Sequence, residues 1–287
     1  MKKPYKDIEN LNLEMDKIID DFKIIYNHMV AIGMDYKYYM DSSFKDDKIY
    51  EYRDNILYRL NATKLHVNIL TNLLSSLDEE LTSLYSQENG NMKIHFNFDN
   101  RIKDISALFD SVIFHIISAF DYVSNLIVYI TLKEDKNFKW NNLARSVRGD
   151  NKLSKANFTN LINELDRTFV CQLYKHRSNL IHFRKNQSRA SLKINFMQVK
   201  VETKIISPST FNRHFKELRE LSKEFDLSIS YVLIWLLKTT TSSIIDIQYG
   251  IKEYMEQNKK IDNPIIFMEG DKGEVMPPSI NYWEIKK

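Results

Sequence analysis

A single cysteine, Cys171, stands in the whole chain, which excludes an internal disulfide framework and any metal centre built from cysteine clusters. Glycine and proline are nearly as scarce, at 6 and 5 of 287 residues. That scarcity excludes a fold of many tight turns and a low-complexity chain, and it favours long helices. The N-terminal Met1-Lys2-Lys3-Pro4-Tyr5-Lys6-Asp7 lacks the apolar run and cleavage site of a secretory signal, so a reducing cytoplasm is the expected compartment. No G-x-x-x-x-G-K-S/T loop, G-x-G-x-x-G fingerprint, H-E-x-x-H pair or G-x-S-x-G elbow occurs, which removes the common nucleotide cradles, zincins and serine hydrolases. The seven histidines form no i, i+4 ligand pair, and neither a metal nor another cofactor is expected. Charge of one sign is also missing: 41 basic against 38 acidic residues leave +3, too balanced for general nucleic-acid binding, so any RNA or DNA contact must be local.

What is present is apolar periodicity, with 43% hydrophobic and 12% aromatic residues. Ile8, Leu11, Met15, Ile18, Phe22, Ile25 and Met29 fall on one face of a helix over 7–30, and 34–48 reads as a connection. From Ile49 to about Ser86 the rhythm Ile49, Tyr52, Ile56, Leu60, Thr63, Val67, Leu70, Leu74, Leu77, Leu81, Leu84 predicts a long helix with a coiled-coil-like seam packed inside the chain. Residues 87–91 are turn chemistry, and Lys93–Phe98 alternates like a short strand or extended connector. Helices are predicted at 100–133, 139–148, 154–182, 210–225 and 228–257, with a β-hairpin over 190–206. From Asp262 the chain reads as an irregular tail pinned by Tyr282 and Trp283. Val112–Leu132 is long enough to span a bilayer, but it carries Asp121, and a charge near the centre of a span costs about 2.5–3.5 kcal/mol. It reads as a buried core helix, with no membrane partner. The expected fold class is therefore all-α, a predominantly helical bundle with that one small hairpin. The expected organisation is an N-terminal long-helix region over 1–90, a helical domain over 91–260 and a tail over 261–287.

One segment carries chemistry. Val170, Leu173, Arg177 and Leu180 share a helical stripe, so an arginine occupies a slot its neighbours fill with apolar groups, and such an arginine needs an anionic partner. His182 follows five residues later, about 140° around the helix, so the two side chains converge on one target only if two helices meet about a twofold axis.

Arg177-Ser178-Asn179-Leu180-Ile181-His182 resembles the R-x4–6-H motif of the HEPN superfamily, and the resemblance extends over roughly 105–185. Ser178 departs from the asparagine most common after the arginine, with Asn179 one place later. A second match, Arg59 to His66, has the apolar Leu60 after its arginine and lies on the long heptad helix. The resemblance implies a HEPN-like bundle, a homodimer with a composite site, and a metal-independent endoribonuclease of antiphage defence or of a toxin–antitoxin pair. RNA, a second copy and an antitoxin or defence-system protein are the implied partners. In that chemistry His182 takes the proton of a ribose 2′-hydroxyl and Arg177 holds the charge growing on the phosphoryl oxygens. Lys175, Arg184, Lys185 and Arg189 would attract the RNA backbone, and Ser178 and Asn179 are auxiliary. Ser111, His115, Ser118, Asp121 and Asn125 form a polar stripe on an otherwise apolar helix. It is either a solvent edge or a face that sets Asp121 against Arg177 or His182.

Other readings stay open at this point. His176 reads as a solvated neighbour of Arg177, His115 as a core histidine, and Tyr36, Tyr38 and Tyr39 as packing residues or base-stacking ones. The whole chain could instead be a catalytically silent HEPN-like module binding a protein or nucleotide, or a helix-turn-helix protein using 210–225 and 228–257.

Overall fold

In the computed structural model, residues 4–41, 47–87, 90–183, 188–195, 197–260, 268–269, 275–276 and 279–283 are described. The fold is predominantly α-helical, as the periodicity predicts, with small paired strands. Helix α1 spans Leu11–Tyr39, α2 Lys48–Tyr85, α3 Gly90–Leu132 and α4 Trp140–Ser146. A 3-10 turn at Leu153–Lys155, α5 at Thr159–Leu165 and a π turn at Asp166–Val170 lead into α6, Cys171–Phe183. After the hairpin come α7 at Ser209–Asn212, α8 at Lys216–Glu224, α9 at Ile229–Gln257 and α10 at Ile280–Trp283. The strands are β1 Tyr5–Lys6, β2 Arg189–Asn195, β3 Lys200–Ile206, β4 Asp226–Leu227, β5 Met268–Glu269 and β6 Val275–Met276.

Contacts divide the chain into two interleaved units. The first takes residues 1–12, 61–116 and 172–236, the second 13–60, 117–171 and 237–287.

In the first unit, β1 pairs in parallel with β4, Tyr5 opposite Asp226 and Lys6 opposite Leu227. This pairing holds residues 5–6 extended, so α1 begins at Leu11 instead of residue 7. The predicted hairpin is present: β2 and β3 run antiparallel from Arg189 opposite Ile206 to Asn195 opposite Lys200. Its outer edge does not stay open. Asp78 Oδ1 accepts from the Thr203 backbone N–H at 2.9 Å and from the Thr203 hydroxyl at 2.6 Å, and Thr82 Oγ1, one turn along α2, accepts from the Val201 N–H at 3.0 Å. Lys93–Phe98, read as a short strand or extended connector, is instead part of the first turns of α3. Ile94 and Phe98 are buried while Phe96 is 69% exposed, which is helical rather than alternating burial.

In the second unit, the helix predicted over 7–30 continues to Tyr39 because Ile32 and Tyr36 extend its buried face. Tyr36 is thus a core residue, not a base-stacking one. The α3 helix ends where Lys133 adopts a left-handed φ of 61°, its ammonium 3.9 Å from the centre of the Tyr36 ring. Trp140 is fully buried, edge-on to Phe120 with centroids 5.2 Å apart, and its indole N–H donates to Asp166 at 3.1 Å. Gly250 of α9 admits Phe158: a Cβ added there would stand 2.9 Å from the Phe158 Cβ. Gly250→Ala should therefore cost about 1–3 kcal/mol in urea unfolding despite its better helix propensity. The tail is fixed at its described end by buried Trp283, whose N–H donates to Asp35 Oδ2 at 2.8 Å, with Tyr282 half-buried beside it. Burial raises the Asp35 carboxyl to about 6.

Seam residues Ile49, Tyr52, Ile56, Leu60, Thr63, Val67, Leu70, Leu77 and Leu81 of α2 are all buried within the chain. By length and composition, Lys93–Leu132 is the one helix among the described residues that could cross a membrane, and 67% of its most apolar window is buried, as a core helix requires. Val232, Leu233, Leu236 and Leu237 of α9 are fully buried, so that helix cannot lie in a DNA groove.

Candidate functional site

The π turn at Asp166–Val170 immediately precedes α6, the helix that carries the motif, and adds a residue to the helical repeat there. From Cys171 to Phe183 the helix is then regular, so Arg177 and position 182 stay about 140° apart. Within the stripe, Val170 and Leu173 are fully buried and Arg177 and Leu180 half-buried. The Arg177 guanidinium lies over the Phe114 ring at 5.4 Å from its centre. Its Nε is shielded from solvent and has no hydrogen-bond partner among the described residues.

The other motif positions divide by environment. Lys175 and Ser178 are exposed, Asn179 is half-buried, and Arg184 and Lys185 lie outside the described residues. For His182 the backbone alone is described, as the penultimate residue of α6. Arg189, on β2, donates to Asp226 Oδ1 at 3.3 Å from a largely exposed side chain. A cavity of about 340 Å³, lined by Phe98, Asp99, Ile102, Lys103, Ser188 and Ala190, lies at the start of the same strand.

The polar stripe of α3 is not a solvent edge. Asn125 is buried, and the other members are half-buried. Asp121 Oδ1 accepts from the Trp140 backbone N–H at 2.9 Å and Asn125 Oδ1 from that of Phe138. These carbonyl and carboxylate oxygens satisfy donors at the start of α4, which no side-chain N-cap serves. Asp121 belongs to the second unit and Arg177 to the first. His115, also on the stripe, is half-buried and stacks on His66 with centroids 4.9 Å apart.

His176 is not solvated. It is fully buried, edge-on to Phe211 at 4.9 Å, because Phe169, Leu173 and His176 share the innermost helix face. Burial, then His214 and Arg213, push its pKa from 6.5 to about 3. Between those values the unfolded chain binds a proton that the folded one refuses. This site's contribution is therefore intact above pH 6.5 and falls as pH drops toward 3. His176→Leu should flatten the loss of stability between pH 6.5 and 4, removing about 1.4 kcal/mol per pH unit of slope, measured by urea unfolding at a series of pH values.

The residue that sequence reasoning missed is His214, in the turn after α7 where the helix predicted over 210–225 breaks. Asn179 Nδ2 donates to its Nε2 at 3.1 Å, and its ring lies 5.9 Å from that of His176. Burial first, then Arg213 and Lys175, lower its pKa. Among the described residues no group of three or more histidine, cysteine, aspartate or glutamate side chains is placed to hold a metal ion. The chain matches no protein-family profile, no curated protein and no solved structure.

Proposed function

We propose that this chain is a HEPN-type endoribonuclease that cleaves RNA without a metal ion, in antiphage defence or as the toxin of a toxin–antitoxin pair. The observation that carries the reading is Arg177: a half-buried guanidinium, its Nε shielded and without a hydrogen bond among the described residues, resting on Phe114. Desolvated guanidinium is costly without a counter-ion, and its planar fork matches a phosphate. The regular course of α6 supports the second half of the proposal. With about 140° between Arg177 and His182, one phosphodiester meets both only where two copies bring their α6 helices together. The base is His182, which removes the 2′-hydroxyl proton, while Arg177 stabilises the charge developing on the phosphoryl oxygens. Exposed Lys175 supplies local attraction for the backbone in a chain of nearly balanced charge.

The test is incubation of purified protein with total RNA in excess EDTA, beside the double variant Arg177→Ala/His182→Ala, with chemical analysis of the product ends. Cleavage leaving 2′,3′-cyclic phosphate and 5′-hydroxyl ends, absent from the folded double variant, is expected. If wild type and double variant are equally inert across many RNAs, the nuclease reading falls and a silent HEPN-like binding module takes its place.

A further inference from the structure

We propose that His214 is the proton donor to the leaving 5′-oxygen in this cleavage, with Asn179 as the residue that positions it; the inference rests on the nuclease reading above. Residues 179 and 182 are three apart on a regular helix and therefore neighbours on one face, whereas Arg177 lies about 160° from Asn179. The hydrogen bond from Asn179 Nδ2 to His214 Nε2, 3.1 Å long, thus brings an imidazole, from 35 residues away in sequence, to the helix face on which position 182 falls. His214 is half-buried, and with Nε2 held, Nδ1 is the nitrogen left for substrate, having no hydrogen bond among the described residues. An asparagine amide suits both states of such a ring. It offers Nδ2–H to the neutral form and, turned over, Oδ1 to the protonated one.

The groups facing His214 are Arg213 and Lys175, both exposed and cationic, and the neutral ring of His176 beneath it. Without substrate those cations and partial burial disfavour the imidazolium. A phosphodiester anion settling between Arg213 and Lys175 offsets them, so the acid is charged when RNA is bound. The step then balances. The 2′-oxygen loses its proton to His182 and bonds to phosphorus, the bond from phosphorus to O5′ breaks, and His214 gives its proton to O5′. The products are a 2′,3′-cyclic phosphate and a 5′-hydroxyl.

The leaving group supplies the test. The dinucleotide UpA needs protonation of its 5′-oxygen, whereas uridine 3′-(4-nitrophenyl) phosphate expels a stable phenolate. His214→Ala should slow UpA cleavage by about 10²-fold or more, remove the alkaline limb of its kcat/KM profile, and slow the nitrophenyl ester only a few-fold. Asn179→Ala should show the same pattern more weakly. Equal losses on both substrates, or no loss on either, overturn the acid role. Should Arg177→Ala and His182→Ala cleave like wild type, the nuclease reading itself has failed, a separate outcome. Independently of turnover, histidine-labelled protein titrated by NMR with the 2′-deoxy dinucleotide should show the His214 pKa rise on binding. An unmoved His214 overturns the proposal even if no RNA is cut.

Discussion

Arg177→Ala and His182→Ala should each lower RNA cleavage by about 10²–10⁴-fold, and an equimolar mixture of the two, given time to exchange subunits, should recover about a quarter of wild-type activity. The magnitudes follow from removing one general base or one charged stabiliser of the developing oxyanion. The recovery follows from geometry: on a helix that runs regularly from Cys171 to Phe183, positions 177 and 182 lie about 140° apart around the axis. If the arginine of one copy serves the histidine of the other, a mixed dimer holds one wild-type pair and one doubly defective pair. Half of randomly exchanged dimers are mixed, and each has one working site of two. Sedimentation velocity should show that both variants keep the wild-type oligomeric state. Inactive mixtures whose subunits demonstrably exchange would sink the shared-site geometry while leaving the single-variant losses intact.

Trp140→Ala should destabilise the protein by about 3–5 kcal/mol, close to the whole stability of many domains. The ring is fully buried against Phe120, and its N–H donates to Asp166, which also accepts from Arg148. Its removal leaves a cavity at the start of α4 and a buried carboxylate short of one donor. Trp140→Phe keeps much of the volume and loses the hydrogen bond, for an expected cost of about 1–3 kcal/mol. Equilibrium unfolding in urea separates the two. A loss below about 1 kcal/mol for the alanine variant would show that the π turn carrying Asp166 is organised without Trp140.

Long apolar rhythms were legible, short ones were not. The seam from Ile49 to Leu84 and the run from Val112 to Leu132 repeat over many turns; α2 follows its seam closely and α3 ends with its run, although α3 begins at Gly90, ahead of the predicted start at 100. Six residues at 93–98 are too few to separate period two from period 3.6: Ile94, Phe96 and Phe98 fit a strand equally well, and only the exposure of Phe96 decides. The helix predicted over 154–182 becomes a 3-10 turn, α5, a π turn and α6, because such turns differ from an α-turn by about one residue in the repeat, too little to read from a few apolar positions. Around the motif, the half-buried setting of Arg177 was readable from its stripe. The burial of His176 was readable in principle from Phe169 and Leu173 on its face, which its place beside Arg177 obscured. The meeting of Asn179 with His214 was not, since it joins segments with no shared periodicity. The role of Asp121 and Asn125 as acceptors for the start of α4 was hidden for the same reason: their partners are backbone N–H groups, which every sequence contains.

The interleaving of the two units has a consequence for synthesis. The first unit needs residues up to 236 and the second needs residues from 237 onward, and each also draws on segments near the start of the chain. As the chain leaves the ribosome, neither unit can be completed before most of the polypeptide has emerged. The Pro4 carbonyl waits for the N–H of Asp226, and Lys6 for Ser228. Such long loops make folding slow rather than unstable. An early pause or truncation would thus release helices with unburied faces instead of a finished half.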